Sequence, residues 1–448
     1  MKTIITIFGF LIFIKLLFFW FWLWQLKEYH FGRFKAHFET LAIRKIFSSF
    51  YRLKFPKFTK KMLAISISAI FLAILIAQFI FFLPNDRDFY LALLIFIFSA
   101  SFFASFIILF FQIPTGILCL RLLQKAKKKR EQFKNLLVIA IAGSYGKTST
   151  KEFLAAILSG KFNVLKTEGH INAEIGIAQT ILKNLNESHQ IFICEIGAYE
   201  KGKVKQVCEM IKPKIGIITG VNEQHLSCFG SMENLLSAEG GRELINSLSL
   251  DGAIFFNAKN RYCLELYKNT LIKKNLYGGN VKLAGMENIE GAKMVAKELG
   301  MSEQEISVAV KKIENKFPGV EIKKINGLNI IDAFYSINPD GAIAHLEYLK
   351  TFSGKKIIIM PCLIELGSAS KEIHQRIGKK INEVCDLAII TVKDRFKEIK
   401  QGGQNSEKII LLENPKKIYD KIKTFCLPGD VILLEGRTPK LLNYFLIG

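Results

Sequence analysis

The sequence lacks any pair of cysteines in the C-x-x-C arrangement, although it contains eight cysteines among its 448 residues. The eight are scattered between positions 119 and 426. This spacing supports neither a zinc ribbon nor a dense disulfide framework. We therefore expect reduced, mostly buried thiols in a protein that works in the cytosol.

Acidic residues are scarce at the N-terminus, where residues 1–130 contain 4 Asp and Glu against 19 Lys and Arg. The remaining residues contain 35 against 43, so most of the formal net charge of +23 lies near the N-terminus. This charge flanks long apolar runs, and basic segments beside such runs are typical of contact with an anionic membrane surface. We therefore expect a membrane partner and no nucleic acid.

Three apolar stretches are long enough to cross a bilayer, which needs about 20 residues. They cover residues 4–24, 62–83 and about 89–111. The first stretch ends in three tryptophans and has no small-residue cleavage site. It is therefore predicted to be an anchor with an aromatic belt rather than a cleaved signal peptide.

The charges of the loops predict the orientation of these spans. Residues 25–61 carry ten Lys and Arg, and residues 121–130 carry six, whereas the link at 84–88 has one arginine between two aspartates. The positive-inside rule places the two basic segments in the cytoplasm. The prediction is a multi-pass protein of the inner or plasma membrane, with its N-terminus outside and everything after residue 120 in the cytoplasm.

From residue 136 onward, short apolar runs alternate with helix-period stretches, which predicts an α/β domain with a largely parallel sheet. A buried-strand run at 136–141 leads into G-S-Y-G-K-T-S-T and then a helical stretch. Strand, glycine loop and helix together are the context of a phosphate-binding loop. Lys147 is expected to reach the β- and γ-phosphates of ATP, and the Thr148 hydroxyl to hold Mg²⁺. The predicted ATP contacts in this loop are Gly143, Ser144, Tyr145, Gly146, Lys147, Thr148 and Ser149.

A second buried-strand run, residues 190–196, carries Glu195 near its end. The carboxyl end of a parallel strand beside a phosphate-binding loop is a suitable place for a carboxylate that binds the metal of the nucleotide. Glu195 is therefore predicted to be a metal ligand.

The loop A-G-S-Y-G-K-T-S-T, residues 142–150, resembles the shortened phosphate-binding loop of the Mur ligases, which build the peptide of the bacterial cell wall. Seven further segments are similar to motifs of that family and follow in the same order. The resemblance covers about residues 136–448 and is closest to the branch that adds D-alanyl-D-alanine. The seven segments begin at Thr167 (T-E-G-H-I-N-A-E-I-G), Glu195 (E-I-G-A), Gly220 (G-V-N-E-Q-H-L-S-C-F-G-S), Gly285 (G-M-E-N), Asp332 (D-A-F-Y-S-I-N-P), Pro361 (P-C-L-I-E-L-G) and Gly429 (G-D-V-I-L-L-E-G-R).

The resemblance implies a role for the matched residues. Lys147, Glu195 and His225 are expected to be catalytic, and Glu195 and His225 are also expected to bind Mg²⁺ together with Thr148. Asn288 and Asp332 match residues that contact the adenine and the ribose, so ATP and Mg²⁺ are the implied cofactors. The implied substrate contacts are Thr167, Asn172 and Asn338.

Glu239 lies where the family has a carbamoylated lysine, an anionic metal ligand made from lysine and CO₂. Glutamate already carries a carboxylate, so Glu239 is expected to be a metal ligand without modification. The glycines Gly240 and Gly241 leave the register open, and Glu243 is the alternative.

Several departures from the family pattern leave the acceptor substrate open. His170 and Ala173 stand where this branch has asparagine, in a loop that faces the acceptor in the family. Ala333 replaces an aspartate, Ser336 replaces an asparagine, and Glu435 stands where the family has lysine.

These patterns predict three regions, namely a transmembrane and basic juxtamembrane region at 1–130, a central ATP-binding domain at 131–316 and a C-terminal domain at 317–448. The predicted fold is a three-helix transmembrane block followed by α/β structure, with a mainly parallel sheet in the phosphate-loop domain and a Rossmann-like C-terminal domain. The membrane block takes the place of the N-terminal domain with which the family binds UDP.

The resemblance implies an ATP-dependent peptide ligase that activates a carboxylate as an acyl phosphate, which an amine then attacks. The expected partners are a muramoyl-peptide acceptor, UDP-linked or lipid-linked, and D-alanyl-D-alanine or a similar amine. The alternatives are a ligase for another carboxylate, such as a folate or poly-amino-acid type, an amidating enzyme acting on lipid-linked precursor, and a membrane scaffold without activity. The missing four-cysteine zinc module counts against the amidating enzyme, and the intact phosphate loop counts against the scaffold.

Overall fold

The computed structural model describes residues 1–40, 53–281, 285–313, 320–333 and 337–437. The chain forms two compact units, Met1–Arg121 and Leu122–Gly448. Some sequence predictions concern residues outside the described ranges. They are the basic residues Arg44, Lys45 and Arg52, part of the segment before Gly285, the domain boundary at 316/317, and Tyr335 and Ser336.

In the N-terminal unit the helices contain most residues of the predicted apolar stretches. Three helices of the described residues are long and apolar enough to cross a membrane, within Lys2–Leu26, Lys60–Phe81 and Ala100–Glu131. Stacked aromatic rings, such as Phe13 on Phe96 with 3.9 Å between centroids, form the interior. The helices are α1 (Lys2–Leu26), α2 (Phe31–Ala36), α3 (Lys60–Phe81), α4 (Asp86–Phe98) and α5 (Ala100–Gln132), with a 3₁₀ turn at His37–Glu39; α5 continues beyond this unit.

The third apolar stretch is not the single helix predicted over residues 89–111. Helix α4 ends at Phe98 and α5 begins at Ala100, so the helix long enough to span starts later and extends further. The Ser99 hydroxyl donates a 2.8 Å hydrogen bond to the Phe96 carbonyl. Such back-bonding by serine bends or interrupts helices. Pro114 is inside α5.

The first sheet of the second unit has six parallel strands in the order β2-β3-β1-β4-β5-β6. Its central strands are almost entirely buried runs of Ile, Val, Phe and Ala, as a parallel sheet covered on both faces requires. The strands are β1 (Leu137–Ala142), β2 (Val164–Lys166), β3 (Ile191–Glu195), β4 (Ile215–Ile218), β5 (Ala253–Asn257) and β6 (Lys273–Tyr277).

Nine helices among the described residues accompany this sheet. The longer ones bury an apolar stripe against it, as Phe153, Leu154, Ile157 and Leu158 of the first do. They are α6 (Lys147–Leu158), α7 (Glu174–Asn184), α8 (Lys203–Ile211), α9 (Leu226–Phe229), α10 (Met232–Ser237), α11 (Arg242–Ile245), α12 (Arg261–Asn269), α13 (Glu287–Glu298) and α14 (Glu303–Lys311).

The second sheet is mixed, because β7 pairs antiparallel with β8 and the other pairs are parallel. The strand order is β11-β10-β9-β12-β8-β7. The strands are β7 (Glu321–Ile325), β8 (Leu328–Ala333), β9 (Lys356–Met360), β10 (Leu387–Ile390), β11 (Ile409–Leu411) and β12 (Val431–Glu435). The helices are α15 (Pro339–Leu349), α16 (Ser370–Val384), α17 (Phe396–Gly402) and α18 (Pro415–Phe425), with a 3₁₀ turn at Gly367–Ala369.

All eight cysteines are free thiols, as predicted, and five of them are buried. Burial raises the pKa of the Cys208, Cys263 and Cys362 thiols to about 12. These thiols are therefore protonated at neutral pH and poorly reactive.

Candidate active site

The central strand β1 lies between β3 and β4, so the loops that follow these three strands meet at one edge of the sheet. This edge is where ligands bind in doubly wound α/β sheets. A cavity of about 1100 Å³ opens at this edge. Residues from loops and helices around both sheets line it. Of the predicted site residues, Gly143 and Thr167 lie outside its lining. Those that line it are Ser144, Tyr145, Gly146, Lys147, Thr148, Ser149, Asn172, Glu195, His225, Glu239, Asn288, Asp332 and Asn338.

The phosphate-binding loop needs glycine at two positions. Gly143 has φ +138° and Gly146 has φ +77°, which other residues rarely adopt. A Cβ on Gly143 would lie 2.3 Å from Thr219 Oγ1, and one on Gly146 would lie 2.6 Å from Asn288 Oδ1. The tight loop brings the N-terminus of α6 to the cavity, where backbone N–H groups favour an anion.

Lys147 is the first residue of α6, and its ammonium bends back over the loop. Nζ donates to the Gly143 carbonyl and lies 3.6 Å from Glu239 Oε1. An ammonium in this place can neutralise phosphate oxygens bound by the loop. The contact of Lys147 with the phosphates stays a prediction.

Glu239 is 2% exposed and lies beside three predicted site residues. Both of its oxygens are 3.1 Å from His225 Nδ1, and Oε2 accepts a 3.2 Å hydrogen bond from Ser144 Oγ. Burial acts to raise the pKa of the Glu239 carboxyl, but His225, Lys147 and Ser144 together lower it below its ordinary value. The group is therefore a carboxylate at neutral pH.

Glu243, the alternative register, lies elsewhere. Its carboxylate accepts hydrogen bonds from the backbone N–H groups of Gly202 (2.7 Å) and Lys205 (3.0 Å) at the start of α8. A carboxylate there satisfies N–H groups that have no partner within the helix. The geometry therefore favours Glu239 as the residue that faces the nucleotide.

Glu195 is the centre of a second cluster. Its side chain accepts hydrogen bonds from Thr148 Oγ1 (2.9 Å) and Asn172 Nδ2 (3.1 Å). Thr167, predicted to contact substrate, is fully buried, and its hydroxyl accepts a 3.2 Å bond from the Glu195 N–H. In this arrangement Thr167 orients the end of β3.

Lys151 was missed by the sequence analysis, although it is fully buried beside the site. Its Nζ lies 3.4 Å from Glu195 Oε2 and donates to the Gly169 carbonyl. The available signal was the helix period, because a residue four positions after Lys147 lies on the same face of α6. A buried lysine requires a charged partner, and Glu195 supplies it.

The donors at the cavity fit a hard cation such as Mg²⁺. Thr148 and Glu195 offer oxygens on one side, and Glu239 and His225 lie on the other. Among the residues that the structure describes, no group of three or more His, Cys, Asp and Glu side chains could hold a metal alone. Mg²⁺ commonly binds through one or two carboxylates and completes its shell with phosphate oxygens and water.

Asn288 and Asp332, the predicted base and ribose contacts, line the same cavity. Asn288 Nδ2 donates to the Gly285 carbonyl at 3.0 Å, and its Oδ1 lies 3.2 Å from Thr150 Oγ1. Asp332 lies on β8, with Oδ2 3.4 Å from Lys323 Nζ. Leu283 and Ala284, next to Gly285 in the predicted adenine segment, lie outside the described residues.

Asn338 is engaged at the start of α15. Its Oδ1 accepts from the Gly341 N–H (2.9 Å), which caps the helix, and from Asn222 Nδ2 (3.1 Å). Asn222 Nδ2 also lies 2.9 Å from Asp340 Oδ2. Burial raises the pKa of the Asp340 carboxyl, with Asn222 and Arg376 acting in the opposite direction.

Glu435, which replaces the family lysine, forms a buried pair with His345. Glu435 is fully buried at the end of β12, and its Oε2 is 2.6 Å from His345 Nδ1. Burial acts to lower the pKa of His345, but Glu435 outweighs it and raises that pKa. His345 lines the cavity, so the departure changes both a charge and a wall of the site.

Replacing Glu435 with glutamine is expected to remove a pH-dependent part of the protein's thermal stability. Because the pKa of His345 is raised in the folded state, the pair's contribution is full below about pH 6.5 and fades as the pH rises through the raised value. Thermal unfolding of the wild type between pH 5 and 9 should show this loss, and Glu435→Gln should flatten it. His189→Gln is the control, because His189 belongs to the part of the unit that holds the first sheet. Identical profiles for wild type and Glu435→Gln would contradict the assignment.

Comparison with known proteins gives one family. The sequence matches the Mur ligase middle domain over residues 141–336 and the glutamate ligase domain of Mur ligases over residues 320–438. A UDP-N-acetylmuramoyl-tripeptide–D-alanyl-D-alanine ligase of Synechocystis sp. is 26% identical over 334 residues. These residues cover 68% of this chain and 73% of the relative.

Two solved structures share the fold of the second unit. MurF from Acinetobacter baumannii has a TM-score of 0.66 at 21% identity, covering 73% of this chain and 79% of that one. The MurF ligase from Thermotoga maritima, solved in complex with ADP, has a TM-score of 0.62 at 24% identity, covering 71% and 80%. The predicted α/β architecture with a mainly parallel sheet in the phosphate-loop domain is therefore confirmed. The sheet of the C-terminal part is mixed, because its edge strand β7 is antiparallel.

Proposed function

We propose that this chain, which belongs to the Mur ligase family over residues 141–438, is an ATP-dependent ligase. It would form a peptide bond on a cell-wall precursor. The observation that supports this most strongly is the meeting of Lys147, Glu195, His225 and Glu239 around one cavity beside a phosphate-binding loop. The relatives named above suggest the substrates, which are a muramoyl-tripeptide as acceptor and D-alanyl-D-alanine or a similar amine.

The reaction requires two steps. An oxygen of the acceptor carboxylate attacks the γ-phosphorus of ATP, the bond to the β-phosphate oxygen breaks, and ADP leaves with an acyl phosphate formed. The amine nitrogen then attacks the acyl carbon, loses a proton, and inorganic phosphate leaves from the tetrahedral intermediate. Neither step needs a side-chain nucleophile.

The chain contributes positioning and electrostatics, which dominate phosphoryl transfer. The backbone of the loop Gly143–Thr148 cradles the phosphates, and Lys147 offsets charge that grows on the transferring group. Thr148, Glu195, His225 and Glu239 would hold Mg²⁺, which would supply further positive charge beside the γ-phosphate. Lys151 balances the charge of Glu195 at Oε2, the oxygen that also accepts from Thr148, and this helps to keep that carboxylate in place.

The N-terminal unit supports a membrane-bound form of this ligase. Its long helices expose large apolar side chains, and apolar surface of this extent is stable in contact with lipid tails. Membrane crossing with the ligase in the cytoplasm stays a proposal based on these helices and on the loop charges. Examples of the exposed side chains are Ile67, Phe71, Phe79, Phe102, Phe106 and Phe110.

The acceptor is proposed to be a lipid-linked precursor held near the bilayer. The alternative is a soluble UDP-linked acceptor. Each Lys or Arg next to the membrane can add about 1 kcal/mol of attraction to anionic lipid. Tethering also raises the effective concentration of a membrane-bound substrate without a new pocket contact. A lipid-linked acceptor would make the membrane unit part of substrate recognition, whereas a UDP-linked acceptor would make it an anchor only.

The test measures ADP release by the full chain in vesicles of phosphatidylethanolamine and phosphatidylglycerol. UDP-linked and lipid-linked muramoyl-tripeptide are each supplied with and without D-alanyl-D-alanine, and the Lys147→Ala protein is the control. We expect ADP release only with acceptor and amine together, and faster release with the lipid-linked acceptor. Equal rates with both acceptors would reduce the membrane unit to an anchor. ADP release that requires glutamate and a folate, or ammonia, would contradict the proposed substrates.

A further inference from the structure

Asn222 follows β4 in the segment that leads to His225, and it is 2% exposed. None of the sequence motifs predicts a role for it. Every polar group of its side chain has a partner. The amide oxygen accepts from the Gln224 N–H at 3.1 Å, and the amide nitrogen has two acceptors in the half of the unit that holds the second sheet.

Those acceptors lie at the start of α15. Asn222 Nδ2 donates to Asn338 Oδ1 at 3.1 Å and to Asp340 Oδ2 at 2.9 Å. Asn338 is held because it caps α15. One amide group with two fixed acceptors has a single favourable orientation. Asn222 therefore aligns α15 with the half of the unit that holds the first sheet.

The backbone of Asn222 contacts the phosphate-binding loop. Its N–H donates to Ser144 Oγ at 3.2 Å, and the Ser144 hydroxyl donates to Glu239 Oε2 at 3.2 Å. Glu239 in turn lies beside Lys147 and His225. A continuous run of buried and partly buried polar contacts therefore joins α15 to Glu239, Lys147 and His225.

A second contact joins the two halves without Asn222. The Ser227 N–H donates to the Glu365 carbonyl at 3.0 Å. This bond uses backbone atoms only, so a substitution at position 222 leaves it in place. Loss of the Asn222 amide should therefore misalign the halves rather than separate them.

We infer that Asn222 is a positioning residue, which holds the C-terminal half of the cavity in register with the phosphate-binding loop through Asn338, Asp340 and Ser144. The expected loss of turnover rests on the proposed function. The expected misalignment of α15 does not. Misplacement of reacting groups by about 1 Å can reduce a rate by up to about 100-fold. The side chain of Asn222 is hydrogen-bonded to Asn338, Asp340 and the Gln224 N–H, and none of these is a predicted metal ligand or part of the phosphate-binding loop. Nucleotide affinity should therefore change little.

Four variants of the full chain test the inference. Asn222→Ala removes the donor, and Asn222→Asp sets two carboxylates against each other at Asp340. The double variant Asn222→Asp with Asp340→Asn reverses donor and acceptor, so it restores the bond to position 340 but not the one to Asn338. Arg376→Ala is the control, because Arg376 contacts the same Asp340 from the surface at 3.3 Å.

Turnover and ADP affinity are measured first. We expect Asn222→Ala to lower kcat at least about 10-fold while the Kd for ADP changes less than about 3-fold. Asn222→Asp should be worse, the double variant should recover part of the loss, and Arg376→Ala should stay close to wild type. Partial rescue shows that the loss is not a failure to fold. Turnover of Asn222→Ala within 2-fold of wild type would overturn the inference, as would a double variant no better than Asn222→Asp.

Hydrogen–deuterium exchange gives a readout that does not need the substrates. In the wild type, ADP should slow exchange in the peptide over Pro339–Leu349, and in Asn222→Ala this protection should be lost. A wild type that shows the protection but ligates no muramoyl-peptide would contradict the proposed function and leave the inference standing. Equal protection in wild type and Asn222→Ala would overturn the inference alone.

Discussion

Replacing Lys147 with alanine is expected to lower ATP turnover at least about 100-fold, because removing one central electrostatic contact typically costs a factor of 10² to 10³. The ammonium lies between the Gly143 carbonyl and Glu239, where the γ-phosphate of ATP would bind. Nothing else in the described part of the loop carries a positive side chain so close to Glu239. ADP release by the full chain in vesicles measures the effect.

Lys183→Ala is the matched control for this prediction, since Lys183 is an exposed lysine near the end of α7. Both variants should insert into vesicles and melt like the wild type. Turnover above about a tenth of wild type in Lys147→Ala would be incompatible with a role on the phosphates.

The second large effect is expected at Glu239. If its carboxylate takes the place of a carbamate, wild-type turnover should not depend on bicarbonate, and Glu239→Ala should lose at least about 100-fold. Glu239→Lys should be inactive in CO₂-depleted buffer and regain activity when bicarbonate is added, because carbamoylation recreates the anion. Turnover at fixed ATP and Mg²⁺, with and without bicarbonate, measures both.

The control for Glu239 is Glu243→Gln. Glu243 binds the N-terminus of α8, so its loss should lower stability more than turnover. If Glu239→Ala retained full turnover while Glu243→Gln lost it, the assignment of the anionic ligand would have to move to Glu243. If bicarbonate stimulated wild-type turnover, this would contradict the proposal that the Glu239 carboxylate takes the place of the carbamate.

Local chemistry was predictable wherever it depends on neighbours along the chain. The strand, glycine loop and helix around Gly143–Thr148 could be predicted because a tight loop requires glycines and a helix N-terminus at set spacings. The order of the motifs also predicted the Mur ligase family, which the comparisons confirm. The roles of individual site residues and the domain boundaries stay predictions.

Predictions of where helices begin and end were weaker. The third apolar stretch is interrupted at Ser99, whose hydroxyl binds a backbone carbonyl. Hydropathy along the chain does not report such a bond, so the interruption was not predicted. Asn338 and Thr167, predicted to contact substrate, use their oxygens for internal hydrogen bonds. The bonds of Asn338 with Asn222 and of Thr167 with Glu195 join residues more than twenty positions apart, so they have no local signal.

The sequence by itself determined the strand–loop–helix unit, the alternation that builds two α/β layers, the free thiols and the apolar helices at the N-terminus. Each of these follows from periodicity, spacing or composition within a short window. Only the tertiary structure decided that Glu239, and not Glu243, lies beside His225 and Lys147, that Lys151 balances Glu195, and that Asn222 connects the two halves. These choices depend on which loops a parallel sheet brings to one edge, and on burial, which allows a carboxylate only where hydrogen bonds and positive charge surround it.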